Sequence, residues 1–134
     1  MTDTKTATAV WPIFRYRDAR AAMAFLTEAF GFEITAVYPP DPADGPVMHA
    51  EARWPLGGGV MFSGLGAGDP IFSDGLGTQL VYIVTDDPDA LYRRAVAAGA
   101  EIAREMRDED YGSRGFTARD PEGNLWSFGT YAGE

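Results

Sequence analysis

Arg119-Asp120-Pro121-Glu122-Gly123-Asn124-Leu125-Trp126-Ser127-Phe128-Gly129-Thr130-Tyr131 changes character halfway along. The first half is a turn: Pro121 presets φ at a corner, Gly123 accepts positive φ, and Asp120 and Asn124 can bond their own backbone. The second half alternates as a strand, with Trp126 and Phe128 on one face and Leu125, Ser127 and Gly129 on the other. Arg114-Gly115-Phe116-Thr117-Ala118 upstream is its natural partner, so the chain closes on a β-hairpin. Trp126 and Phe128 belong to the core, and the question becomes what Ser127 faces.

Reading back from that hairpin gives a strand in Gln79–Thr85. Asp86-Asp87-Pro88 then opens a helix with Leu91, Ala95, Val96 and Ala98 on its apolar face. Gly99 stops it, and Ala100–Met106 is a further strand. The N-terminal half has the same order. Ala9–Arg17 reads as a strand, with Pro12 placing it at an edge. Asp18 caps a helix over Ala19–Phe30 that Gly31 ends, and strands follow at Phe32–Tyr38, Val47–Trp54 and Val60–Ser63. A shift of 68 positions lays Asp18 on Asp86, Gly31 on Gly99, and Phe32-Glu33-Ile34 on Ala100-Glu101-Ile102. A matched cap, stop and strand is the mark of an internal repeat. The reading is an α+β chain of two βαβββ modules, residues 9–63 and 78–131, joined by a Gly-rich linker at 64–77.

Composition narrows the function. The 134 residues are 46% hydrophobic and carry a net charge of −9, which suits one globular unit and opposes binding to nucleic acid or to anionic membranes. The chain has no cysteine, which removes disulfides, thiolate nucleophiles and Cys-zinc sites. Neither an apolar run long enough to span a bilayer nor an export-signal pattern is present, so the cytoplasm is the expected compartment. Gly57-Gly58-Gly59 lacks the Lys-Ser/Thr of a phosphate loop and reads as a hairpin turn.

Three stretches together resemble the vicinal oxygen chelate superfamily, and within it the small bacterial glyoxalase/bleomycin-resistance proteins: Ala29-Phe30-Gly31-Phe32-Glu33; Thr85 to Leu91 with Ala97-Ala98-Gly99-Ala100; and Asp120-Pro121-Glu122-Gly123-Asn124-Leu125. The resemblance covers about residues 9–131. It implies modules that pair within or between chains, with their sheets curled into an incomplete barrel around a pocket, and a homodimer. It also implies metal-ligand positions on the first and last strand of each module. These fall on Trp11, on the run Val60-Met61-Phe62, on Leu80 or Gln79, and on Ser127. Such residues do not supply the three or four N/O donors a divalent cation needs, so no metal and no cofactor is expected.

The single histidine, His49, shares a strand face with Glu51 and Arg53. By period two and the resemblance, the expected ligand-binding set is Trp11, Arg15, His49, Glu51, Tyr82, Tyr111, Ser127 and Tyr131, with Trp54 at the rim. Aromatic walls and a guanidinium suit an aromatic or polar small molecule. The resemblance then implies a protein that sequesters a drug and confers antibiotic resistance. The alternative is a glyoxalase-type lyase or isomerase acting on a small carbonyl compound through His49 and Glu51.

Overall fold

The computed structural model describes residues 8–40, 45–65, 71 and 76–134, so most of the expected linker at 64–77 lies outside the described residues. The element order is β1 (Ile13–Tyr16), α1 (Ala19–Phe25) running into a π-helical turn (Leu26–Phe30), β2 (Glu33–Tyr38), β3 (His49–Arg53) and β4 (Gly59–Gly64). After it come β5 (Leu80–Val84), α2 (Pro88–Ala97), β6 (Glu101–Asp108), β7 (Arg114–Arg119) and β8 (Leu125–Gly129). The strands form two sheets of four, ordered β1-β4-β3-β2 and β5-β8-β7-β6, with no closed barrel. β1 lies parallel to β4, and β5 parallel to β8; all other pairs are antiparallel. No helix among the described residues is long and apolar enough to cross a membrane.

The helices begin and end as their local chemistry dictates, with one difference from the expected register. The Asp18 side chain accepts from Ala21 N–H, but the second helix is capped by Asp87, which accepts from Ala90 N–H, and not by Asp86. Gly31 and Gly99 close the two helices at φ +85° and +86°. The first helix therefore holds one residue more than the second between cap and glycine. The π turn absorbs it: Phe32 N–H reaches back to Leu26 C=O, and the Thr27 hydroxyl takes the Met23 carbonyl at 2.9 Å. The offset between modules is thus 68 after the helices and 69 before them, which makes Leu80, not Gln79, the counterpart of Trp11.

Alternation fills one shared core. Phe14 and Tyr16, Ala50 and Ala52, Val60 and Phe62 face inward from the first sheet; Ile83, Phe116, Ala118, Trp126 and Phe128 do so from the second. Phe14 stacks on Trp126 with ring centroids 4.8 Å apart, and Phe30 meets Phe128 edge-on at 4.8 Å. Trp54 packs against this core on Phe32 and Phe128, its indole N–H on Val84 C=O at 2.8 Å, and its partly exposed ring borders a cleft beside β5. β1 starts later than expected because Thr8–Trp11 lies over the β3–β4 hairpin. There Arg53 sits 4.6 Å above the Trp11 ring and bonds the Thr8 hydroxyl at 2.7 Å. Trp11 fits there because residue 59 is glycine: a Cβ on it would lie 2.9 Å from the Trp11 ring.

The closing turn ties the modules together. Asp120 is 4% exposed. Its carboxylate accepts from Tyr16 Oη at 2.6 Å, Trp126 Nε1 at 3.1 Å, Asn124 Nδ2 at 3.0 Å, and the N–H groups of Glu122 and Asn124 at 3.0 Å. Glu122 in turn accepts from the N–H groups of Arg17 and Asp18 at 2.7 Å, just before α1. Burial first, and the Asp120 charge second, hold the Tyr16 phenol far above its ordinary value.

Candidate functional site

Because the inward faces of both sheets share the core, their other faces are where ligand-directed residues can lie. On the first sheet, Ile13 stands opposite Met61, Met61 opposite Glu51, and Glu51 opposite Ala36; Arg15 stands opposite Ser63, and Tyr38 opposite His49. His49 Nε2 and Glu51 Oε2 are 2.8 Å apart, and both side chains keep partial access to solvent. Trp11, Arg15, His49 and Glu51 are therefore brought to one face.

Of the other four expected residues, Tyr82 and Ser127 lie on the second sheet, and Tyr111 and Tyr131 lie in the segments next to β7 and β8. Tyr82, Ser127, Thr117 and Arg104 form one unbroken cross-strand row, beside a row of Leu80, Leu125, Arg119 and Glu101. The Thr117 and Ser127 hydroxyls are 3.0 Å apart. Only one proton can lie between them, so the other hydroxyl has a proton to offer outward. Arg119 pairs with Glu101 at 3.2 Å, and Arg104 lies 3.7 Å from Glu109. Arg104, Thr117, Arg119 and Ser127, with Leu80, Tyr82 and Leu125, border a cleft of about 460 Å³.

The Tyr82 hydroxyl donates to Tyr131 C=O at 2.7 Å. Its ring has room because residue 129 is glycine, where a Cβ would stand 2.7 Å from that hydroxyl. Tyr111 and Tyr131 meet edge-on at 5.6 Å, and Tyr111, Tyr82 and Ser127 border a smaller hollow of about 100 Å³. Sequence reasoning missed Arg104, Thr117 and Arg119. Thr117 and Arg119 follow from period two on β7, whereas the register of Arg104 is hidden by bulges in β6 at Ile102/Arg104 and Arg104/Arg107.

The four ligand positions of the resemblance resolve to Trp11, Met61, Leu80 and Ser127. Met61 and Ser127 are equivalent through their parallel partners Ile13 and Tyr82. This donor set offers one hydroxyl and one thioether, which does not fit a divalent metal. No group of three or more His, Cys, Asp or Glu side chains comes together among the described residues.

Two βαβββ halves with helices packed on a common core, and outward sheet faces bearing mixed polar and aromatic groups, define a paired-module protein of the glyoxalase/bleomycin-resistance fold. Residues 8–128 match the model of the Glyoxalase/Bleomycin resistance protein/Dioxygenase superfamily, and the chain belongs to that family. TioX from Micromonospora sp. ML1 is similar in structure, with 30% sequence identity, a TM-score of 0.75, and coverage of 90% of this chain and 98% of that one. A glyoxalase/bleomycin resistance protein from Catenulispora acidiphila has a TM-score of 0.66 at 23% identity, covering 92% and 97% of the two chains. An uncharacterized protein of Mycobacterium bovis is 31% identical over 119 residues, or 84% of this chain and 76% of its own length.

Proposed function

We propose that this protein binds a planar, polar or anionic small molecule without a metal and sequesters it, as a cytoplasmic homodimer in an antibiotic-resistance role. The observation that carries this reading is the division of the expected site. Trp11, Arg15, His49 and Glu51 lie on one outward face; Tyr82, Tyr111, Ser127 and Tyr131 lie with the other sheet. Each face alone is half a pocket. Large apolar side chains stand open on the edge strands of both faces, with Ile13 56% and Leu80 67% exposed. A second copy that turns its first sheet toward the second sheet of its mate covers both faces and completes two equal sites. Guanidiniums of Arg15, Arg104 and Arg119 suit a carboxylate or similar anion, and Tyr82 and Trp11 suit a flat ring.

Subunit mixing tests the assembly and the site together. Arg15→Glu and Arg119→Glu subunits are each expected to lose binding of an anionic aromatic probe, followed by tryptophan fluorescence after dialysis against a chelator. Mixed, they form heterodimers in which one site carries both changes and the other carries neither, so each heterodimer regains one site of two and a randomly paired equimolar mixture regains about a quarter of the parent capacity. Modules that pair within one chain regain nothing on mixing, and a ligand lost with the chelator removes the metal-free reading. The 2.8 Å His49–Glu51 pair favours one second reading, proton transfer on a small carbonyl compound. Turnover that disappears in His49→Ala while probe binding persists would establish it.

A further inference from the structure

A separate cleft lies between the β3–β4 hairpin and β5. It has a volume of about 320 Å³, near the small end of the roughly 300–1,000 Å³ range of ligand pockets. Phe32, Trp54, Val60 and Ile83 wall it, with Val10 and Pro12 at its mouth, and none of the residues lining it is charged. β5 contributes four consecutive residues, Val81 to Val84. Side chains on a strand alternate, so four in succession border one cavity only where the cavity runs along the strand's edge.

That edge is the unpaired one. Leu125 N–H donates to Gln79 C=O, and Thr85 N–H to Gly129 C=O. The amides of residues 79, 81, 83 and 85 therefore face β8, and those of Leu80, Tyr82 and Val84 face the open side. Val84 C=O is taken by the Trp54 indole at 2.8 Å. Among the described residues, the N–H and C=O of Tyr82 have no protein partner. The opposite wall is the glycine turn, where a Cβ on Gly57 or Gly58 would meet nothing within 4 Å.

We propose that this cleft is a second ligand site, distinct from the outward faces, for an uncharged, planar, two-ring amide or lactam. Its N–H and C=O bond the C=O and N–H of Tyr82 in the plane of the sheet, and its rings lie against Trp54, Leu56 and Pro12. A plain hydrocarbon would strip water from two main-chain groups and leave them unpaired. An anion would leave water for a wall with no cation to receive it. A neutral ring carrying one donor and one acceptor satisfies both conditions.

The test uses quinolin-2-one as probe, with its N-methyl derivative, and follows the backbone amides of isotope-labelled protein by NMR. Saturable shifts are expected at Tyr82, Gly58, Gly59 and the Trp54 indole N–H. N-methylation, which removes the donor, weakens binding at least tenfold, as does Leu56→Asp at the exposed mouth; Ser127→Ala on the outward face changes it less than twofold. Three results overturn the proposal. In the first, quinolin-2-one gives no saturable shift up to its solubility. In the second, the shifts are confined to Thr117, Arg119 and Ser127. In the third, the Tyr82 amide of ligand-free protein is protected from exchange, either with rising protein concentration, which marks a second copy on the β5 edge, or until residues 1–7 are deleted, which marks the chain's own tail.

Discussion

Replacing Tyr16 by Phe removes one oxygen, and Asp120 sets the size of the effect. The phenol donates to the Asp120 carboxylate at 2.6 Å, and both residues are buried. A hydrogen bond to a charged acceptor contributes roughly 1.5–3 kcal/mol. Phe keeps the stacked contact with Phe14 and the edge contact with Phe62, so little is added for lost packing. The expected loss is about 2 kcal/mol, or roughly 6–10 °C in Tm for a chain of this length. In urea, the midpoint should fall with an unchanged slope. Asp120→Asn should couple to it: the cost of the double variant falls short of the summed single costs by about 1–2 kcal/mol. pH supplies an independent readout. The folded phenol is held above the ordinary 10.0, so its contribution is complete below pH 10 and is lost as pH climbs past it, where only the unfolded chain ionises. The slope approaches about 1.4 kcal/mol per pH unit, and Tyr16→Phe abolishes it, so the gap between the two proteins narrows above pH 10. A midpoint for Tyr16→Phe within about 0.5 kcal/mol of the parent, or parallel pH profiles, would refute the reasoning.

Three further substitutions separate backbone collisions from side-chain adjustments. Gly115→Ala places a Cβ onto the Phe128 carbonyl oxygen, which cannot swing away, so denaturation should show a loss of at least about 2 kcal/mol. Gly129→Ala meets only the ends of side chains, Tyr82 Oη at 2.7 Å and Ser113 Oγ at 3.0 Å; the fold should persist while Tyr82 leaves Tyr131 and probe binding on the second sheet weakens several-fold by fluorescence titration. Arg94→Ala removes bonds at 2.9 Å from the guanidinium to the Thr27 and Glu28 carbonyls, and urea unfolding should report a cost of about 1 kcal/mol, in line with an exposed helix-end interaction.

The fold was legible because its punctuation is chemical. Asp18, Gly31, Pro88 and Gly99 are read one residue at a time, and the alternation of Phe14 with Arg15, or of Trp126 with Ser127, assigns a face without any contact map. The shared core was not legible, since nothing local says that Phe14 will stack on Trp126, more than a hundred positions away. Trp54 shows the same limit. It follows an alternating strand and precedes a turn, as a rim residue would, and it does border a cleft, but its ring partners, Phe128 of β8 and Phe32 just before β2, are distant in sequence. Asp120 was read as a local turn residue, which it is, but one of its five donors, the Tyr16 phenol, comes from 104 positions away and depends on the tertiary fold. Of the eight residues expected at the site, Arg15, His49 and Glu51 lie on strands of the first sheet and Tyr82 and Ser127 on strands of the second, while the bulges in β6 break the period that would have brought in Arg104.

The one-residue π turn sets the register between the two modules. It shifts the repeat from 68 to 69 on the first-strand side, pairing Trp11 with Leu80 and Ile13 with Tyr82, and through the parallel ladders Met61 with Ser127. The inward partners in this register, Phe62 with Phe128 and Val60 with Trp126, are apolar in both copies because one core demands it. The outward partners answer to no such demand. There the copies differ: both faces carry arginines and a carboxylate, but the first adds the His49 imidazole where the second has the Thr117–Ser127 hydroxyl pair. A site built by facing two unlike halves distinguishes the two ends of its ligand, which a symmetric donor set does not. The outward residues, rather than family membership, are therefore what a ligand search should be designed around.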